Sequence, residues 1–219
     1  MIEKLKNAVM QGQKISRAIQ FDPAQFEDPI AMKTEWLTMN NSSSSFRTHN
    51  LKEEEGGILA FKPSLGSKIF SLAFVFSGLI FPIIFFTTTY NSADPEAFNM
   101  LIFMTLFSAV FIGVGVYLFR KNSAVIAFDK NRGIFWIGKL NSENSCGDTS
   151  QNLSNIHAIQ LLSRLERSDK KSYYVFETIA VLKNAERRLL VSQGGSRRKA
   201  VTDAENLAAY LHVSLWNAS

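Results

Sequence analysis

The chain has 219 residues, 46% of them apolar and 20% charged, with a net charge of +5 and a mean hydropathy of zero, averages of an ordinary soluble protein that conceal two different materials. Cys146 is the only cysteine, which excludes an intramolecular disulfide and agrees with a reducing cytoplasmic compartment. The positive excess is uneven: residues 120–219 hold fifteen basic and nine acidic side chains, against nine and eight in residues 1–68.

In chain order, the opening MIEKLKNAVMQGQKISRAIQ sets Ile2, Leu5, Val9, Ile15 and Ile19 at near-helical spacing among basic residues. This predicts an amphipathic helix suited to a membrane surface or a partner, with Gly12 as a point of fraying. Residues 1–28 are that helix and the start of a proline-containing linker, and NNSSSS further on is a flexible loop. SFRTHNL and ILAFKP then flank the turn-forming KEEEGG, which predicts a β-hairpin within a pre-membrane unit of residues 29–66. Two strands alone are marginal in water, so this hairpin needs others to join.

Residues 67–121 are the second material. Ile69 to Thr89 and Phe98 to Phe119 carry no charge, and each meets the roughly 20-residue length that crosses ~30 Å of hydrocarbon. A soluble domain of this size seldom hides two helices that are apolar on every face, so both are predicted to be transmembrane. Lys62 and Lys68 precede the hairpin, Arg120 and Lys121 follow it, and the link holds only Asp94 and Glu96, which places both termini in the cytoplasm. Pro82 should loosen the first helix. The pairs Ala73 with Ser77 and Ala109 with Gly113 are small residues four apart and so candidates for close helix packing. Neither span contains Asp, Glu, Lys, Arg, His or Gln, groups that transporters and proton conductors keep for function, so the hairpin reads as an anchor.

Residues 122–219 form the last unit. AVIAF and GIFWIG flank the turn DKNRG, where Gly133 supplies the left-handed position. NIHAIQLLSRLE, SYYVFETIAVLKN and RRLLVSQ follow as an antiparallel meander, the middle run apolar on both faces. In AVTDAENLAAYLHVSLW an apolar stripe of Val201, Ala204, Leu207, Ala208 and Leu211 predicts an amphipathic helix, with Trp216 returning to the sheet. Two strands before the hairpin and five after it, closed by one helix, match the strand count of a pleckstrin-homology-like barrel. The predicted class is an α+β membrane protein: a transmembrane hairpin inserted into or attached to a small antiparallel barrel capped by a C-terminal helix.

DPIAMKTEW, SFRTHNL, FKPSLGSKIF and the tail segments NIHAIQLLS, YYVFETIAVL and LHVSLW resemble a family of uncharacterised bacterial membrane proteins. The resemblance runs from about residue 28 to residue 217, and TEW and FRTH are its most specific parts. It implies a two-span hairpin in the bacterial inner membrane with a pleckstrin-homology-like cytoplasmic region, and it implies no particular activity.

His49, His157, His212 and Cys146 have no metal-ligand spacing, so neither metal nor cofactor is expected. No G-x-S-x-G elbow is present, and SQGGSRRK lacks Walker spacing. That last stretch has two readings. Ser196 caps a helix whose first turn carries Arg197, Arg198 and Lys199 against the dipole, which an anion would relieve. Alternatively Thr202 and Glu205 form a capping box and the triplet belongs to the preceding loop, which costs nothing and is favoured. With Arg187 and Arg188 the triplet makes a basic patch near a membrane, a candidate contact for anionic headgroups. The pI near 9.3 and Tyr173 and Tyr174 admit base stacking, but tethering to a membrane argues against nucleic acid. The expectation is a non-catalytic, membrane-anchored interaction or assembly module for a protein partner or anionic lipid. A membrane-associated enzyme is the alternative, and a pore of assembled hairpins is disfavoured by the apolar spans.

Overall fold

The computed structural model describes residues 21–40, 43–89, 96–138, 150–167 and 172–219. The expected N-terminal amphipathic helix and Cys146 lie outside these residues. A 3-10 turn at Pro23–Phe26 and helix α1 (Pro29–Lys33) each follow an aspartate and begin with proline. Asp22 Oδ1 accepts from the Ala24 amide at 2.9 Å and Asp28 Oδ1 from the Ile30 amide at 2.8 Å. These caps, with proline where its missing N–H costs nothing, order a stretch whose composition suggests only a linker.

Strands β1 (His49–Glu54), β2 (Ile58–Pro63), β3 (Val125–Asp129), β4 (Ile134–Gly138) and β5 (Gln151–Asn152) form one antiparallel sheet in that order. The hairpin of helices α2 (Leu65–Thr89) and α3 (Glu96–Asn122) is inserted between β2 and β3. Strands β6 (Ile156–Arg167), β7 (Ser172–Leu182) and β8 (Arg187–Gly194) form the expected meander, α4 (Arg197–Leu211) follows, and β9 (Ser214–Ala218) lies parallel to β6. The second sheet therefore runs β8-β7-β6-β9. Trp216 does return to the sheet, as a residue of this ninth strand, and is only 1% exposed.

Among the described residues neither sheet closes into a barrel, which corrects the expected closure. On one side β5 is two residues long and the 3-10 turn Leu153–Asn155 carries the chain into the other sheet. On the other side, where β1 would have to meet β8, the Gln193 side chain takes the place of a ladder: its Oε1 accepts from the amides of Thr48 at 2.8 Å and His49 at 2.7 Å. One core lies between the sheets, with Phe61, Phe128 and Phe135 facing Ile159, Leu161 and Phe176, and Ala204 and Leu207 of α4 completing it. The outer face of the second sheet is buried too: Ala158, Val181 and Trp216 pack against Ala31, with Phe26, Ile30 and Trp36 around them. That is why β7 is apolar on both faces.

The two helices are long and apolar enough to cross a membrane, with spans of 23 residues at Leu65–Thr87 and 22 at Asn99–Arg120, and only 11% of each window is buried. A core helix would be mostly buried, so these helices are not the interior of the domain. Their mutual contact uses small residues seven apart on each helix. Ser71 and Gly78 of α2 meet Gly115 and Ser108 of α3 in reciprocal fashion: a Cβ on Gly78 would sit 2.9 Å from the Ser108 carbonyl, and one on Gly115 would sit 3.1 Å from that of Ser71. The packing pairs expected from four-residue spacing are elsewhere. Ala73 and Ala109 are exposed, Ser77 bonds its own helix at Ala73 O, and a Cβ on Gly113 would meet nothing within 4 Å. Pro82 lies inside α2 without ending it.

Candidate functional site

The segment Phe46-Arg47-Thr48-His49 joins the helical hairpin to both sheets. Ser64 caps α2, its Oγ accepting from the Ser67 amide at 3.1 Å while donating to Arg47 O at 2.7 Å, and its own amide donates to Thr48 O at 2.7 Å. Arg47 reaches across to Asp203 of α4 in an ion pair and donates to His49 O at 3.0 Å. Burial pushes the Asp203 carboxyl above its usual value, with the hydrogen bond and charge of Arg47 pulling against it. The His49 ring spans the joint between Thr48 Oγ1 at 2.9 Å and Ala124 O, just past α3, at 3.1 Å. Burial lowers the His49 pKa against the Ala124 bond, so the neutral ring donates from Nε2 and accepts at Nδ1. Phe46 completes the joint by packing on Phe70 in the second turn of α2, ring centroids 5.5 Å apart.

The chain just before this joint lies as a strap over the outer face of the second sheet, and its main chain is held by side chains. Gln160 Nε2 donates to Glu35 O at 3.1 Å, and Arg187 Nη1 to Leu37 O at 2.6 Å. Glu177, fully buried in the middle of β7, accepts from the amides of Met39 at 2.6 Å and Asn40 at 3.1 Å, from Arg164 Nη1 at 2.7 Å and from Ser192 Oγ at 3.1 Å. Arg164 also donates to Asn40 O. Beyond it, Gly194 N donates to Ser44 O at 2.7 Å. A Cβ on Gly194 would overlap the carbonyl of Ser45, so the absence of a side chain permits the close approach. At the other end Trp36 stacks on Phe26 at 5.4 Å, lies 5.8 Å from Trp216 and donates its indole N–H to Ala31 O at 2.9 Å.

The five basic candidates separate into three situations. Arg187 is committed to the strap through Leu37 O and a 2.7 Å ion pair with Glu35, and its side chain is 10% exposed, so it does not form a free anion contact. Arg188 pairs with Glu186 at 2.6 Å. Six residues of β8, about 20 Å at ~3.3 Å per residue, separate it from the loop at Gly194, so the expected single patch is divided. Arg197, Arg198 and Lys199 are exposed in the first turn of α4. Ser196, not Thr202, is the N-cap of this helix, and its hydroxyl makes no capping bond. The helix starts early because Ala200 and Ala204 must both reach the core, and Gly195 at φ 130° turns the chain into it. Arg197 donates to Ser219 O at 2.8 Å.

The histidines lie on different elements and each is engaged: His157 Nε2 pairs with Asp28 at 2.6 Å and His212 Nε2 lies 3.1 Å from Lys130 Nζ. For Asp28, burial raises the carboxyl, but the hydrogen bonds from His157 and the Ile30 and Ala31 amides outweigh it and leave the group below its usual value. Among the described residues no group of three His, Cys, Asp or Glu side chains could hold a metal ion. Glu177 and Arg164 are the functional candidates that sequence inspection passed over, although a lone carboxylate inside YYVFETIAVL is a visible signal. Comparison of the chain with protein-family models, curated proteins and solved structures returns no match.

Proposed function

We propose that the chain is a non-catalytic integral membrane module: α2 and α3 cross the bacterial inner membrane, both termini are cytoplasmic, and the two-sheet domain rests on the inner leaflet as an assembly or regulatory factor. The observation that carries this is the hairpin's exposure, with 11% of each span buried and side chains such as Ile83 at 60% and Leu106 at 64% left open. Hydrocarbon is the medium that makes such a surface stable. Lys68 and Arg120 at the open end of the hairpin, against Asp94 and Glu96 in the link, support the orientation.

Anionic headgroups are the lipid chemistry this domain suits. Phe46 touches the second turn of α2, and Gly194 presses on the neighbouring Ser45, so the loop that opens into Arg197, Arg198 and Lys199 lies beside the foot of the hairpin. Basic residues near an anionic leaflet gain about 1 kcal/mol each. The test uses the intact protein in nanodiscs, with a fluorophore on Ser196→Cys in a Cys146→Ser background and spin-labelled headgroups as quenchers. Stronger quenching is expected in anionic than in zwitterionic discs, and it should be lost in the R197A/R198A/K199A variant. Equal quenching in both lipids would remove the headgroup contact from the proposal.

A further inference from the structure

The strap has the signature of a bound peptide. Its carbonyls at Glu35, Leu37 and Asn40 and its amides at Met39 and Asn40 are read by side chains of the sheet, so recognition falls on main chain that any sequence possesses. Its own side chains contribute little burial: Glu35 and Met39 are exposed and Trp36, Leu37 and Thr38 are intermediate. Two strap side chains do give register, Glu35 on Arg187 and Trp36 in the aromatic nest of Phe26 and Trp216. One groove atom is left unmet: Gln160 Oε1 is buried in a fully buried side chain and, among the described residues, has no hydrogen-bond partner. A buried acceptor without a donor costs about 1–3 kcal/mol, so the strap is an imperfect occupant of this face.

We infer that the outer face of the second sheet is a groove for an extended peptide, occupied in cis by residues 35–40 and 43–45, and that a partner protein's extended segment exchanges with the strap. The fitting ligand has an acidic residue followed by a large aromatic, then several residues of extended chain, with a further N–H for Gln160. Side-chain pairing to a peptide backbone provides adhesion and the two anchors provide selectivity. This inference rests on the interaction-module reading but not on the headgroup contact, and it concerns a different surface.

Gly194→Ala is the tool, because φ at this position is not left-handed and the three atoms nearest the added methyl all belong to Ser44 and Ser45 of the strap. The intact protein in detergent is titrated with a fluorescein-labelled peptide of residues 34–42, which ends before the Ser44 and Ser45 carbonyls that the methyl would displace. The G194A protein is expected to bind at least ten-fold more tightly than the wild type, and a peptide with Trp36→Ala is expected not to bind. Amide exchange on the same samples reports whether the strap has lifted. A G194A protein whose Met39 and Asn40 amides exchange freely yet binds no peptide overturns the inference, and so does a stable dimer formed by exchange of straps between copies. If G194A does not fold, exchange in the wild type decides. Met39 and Asn40 amides opening at least 100-fold more readily than those of β7 support a displaceable strap; opening only together with β7 makes the strap part of the core and ends the proposal.

Discussion

Glu177→Ala should lower the unfolding free energy of the intact protein in detergent by about 3–5 kcal/mol, the cost of breaking a buried ion pair by removing one partner. The carboxylate has no exposed surface and serves four donors at once: two strap amides, the Arg164 guanidinium and the Ser192 hydroxyl. Removing it leaves Arg164, whose side chain is 10% exposed, with Glu166 at 2.7 Å as its remaining counter-ion, and takes the buried acceptor away from the Met39 and Asn40 amides. Glu177→Gln should be nearly as costly, because its amide nitrogen would face groups that are themselves donors. A double replacement, R164M/E177L, should recover part of the loss, since an apolar pair of similar volume removes the buried guanidinium together with its buried partner. Denaturant unfolding of the wild type, R164M, E177L and R164M/E177L forms a cycle that isolates the pair. A loss below 1 kcal/mol for E177A would mean that the strap does not depend on this pair.

Gly115→Leu should destabilise the hairpin by about 1–3 kcal/mol through overpacking, and Gly78→Leu by a similar amount. A Cβ at Gly115 already falls 2.6 Å from Val75 Cγ2 and 2.9 Å from the Val75 amide nitrogen, and one at Gly78 falls 2.8 Å from Ile112 Cγ1. Backbone atoms and a packed β-branched side chain cannot move aside as a flexible chain end does. Gly113→Leu is the control, because its Cβ would meet open space on the outward face. Thermal unfolding in mild detergent should therefore rank G113L close to wild type and well above G115L. The reverse ranking would restore the pair Ala109 with Gly113 as the packing seam.

That contrast explains how far the sequence could be read. Charge-free length is a one-dimensional property, so both long helices are visible in it, but a helix apolar all round has no phase that tells which face meets its partner. Small residues lie on more than one face, and only the antiparallel register selects Ser71 with Gly78 and Ser108 with Gly115. Strands β2, β3, β4, β6, β7 and β8 are legible because short apolar runs end at polar turns, whereas sheet closure depends on pairing between segments more than a hundred residues apart in sequence. Gln193 decides that pairing by binding Thr48 and His49, a contact with no local signal. Thr202 and Glu205 carry a genuine capping pattern, yet burial of Ala200 and Ala204 extends α4 back to Arg197. FRTH and TEW, by contrast, fall where the structure concentrates its side-chain to main-chain bonds: Arg47 to His49 at the joint, and Glu35 and Trp36 at the head of the strap.

The central claim, that the hairpin crosses a bilayer with its link on the far side from the domain, is tested most directly by thiol labelling of intact bacterial cells with a membrane-impermeant maleimide. In a Cys146→Ser background, Ala93→Cys in the link should label in intact cells made permeable only at the outer membrane, while Lys130→Cys in the β3-β4 turn should label only after lysis. Labelling of both positions alike in intact cells, or of position 130 and not 93, would contradict the account.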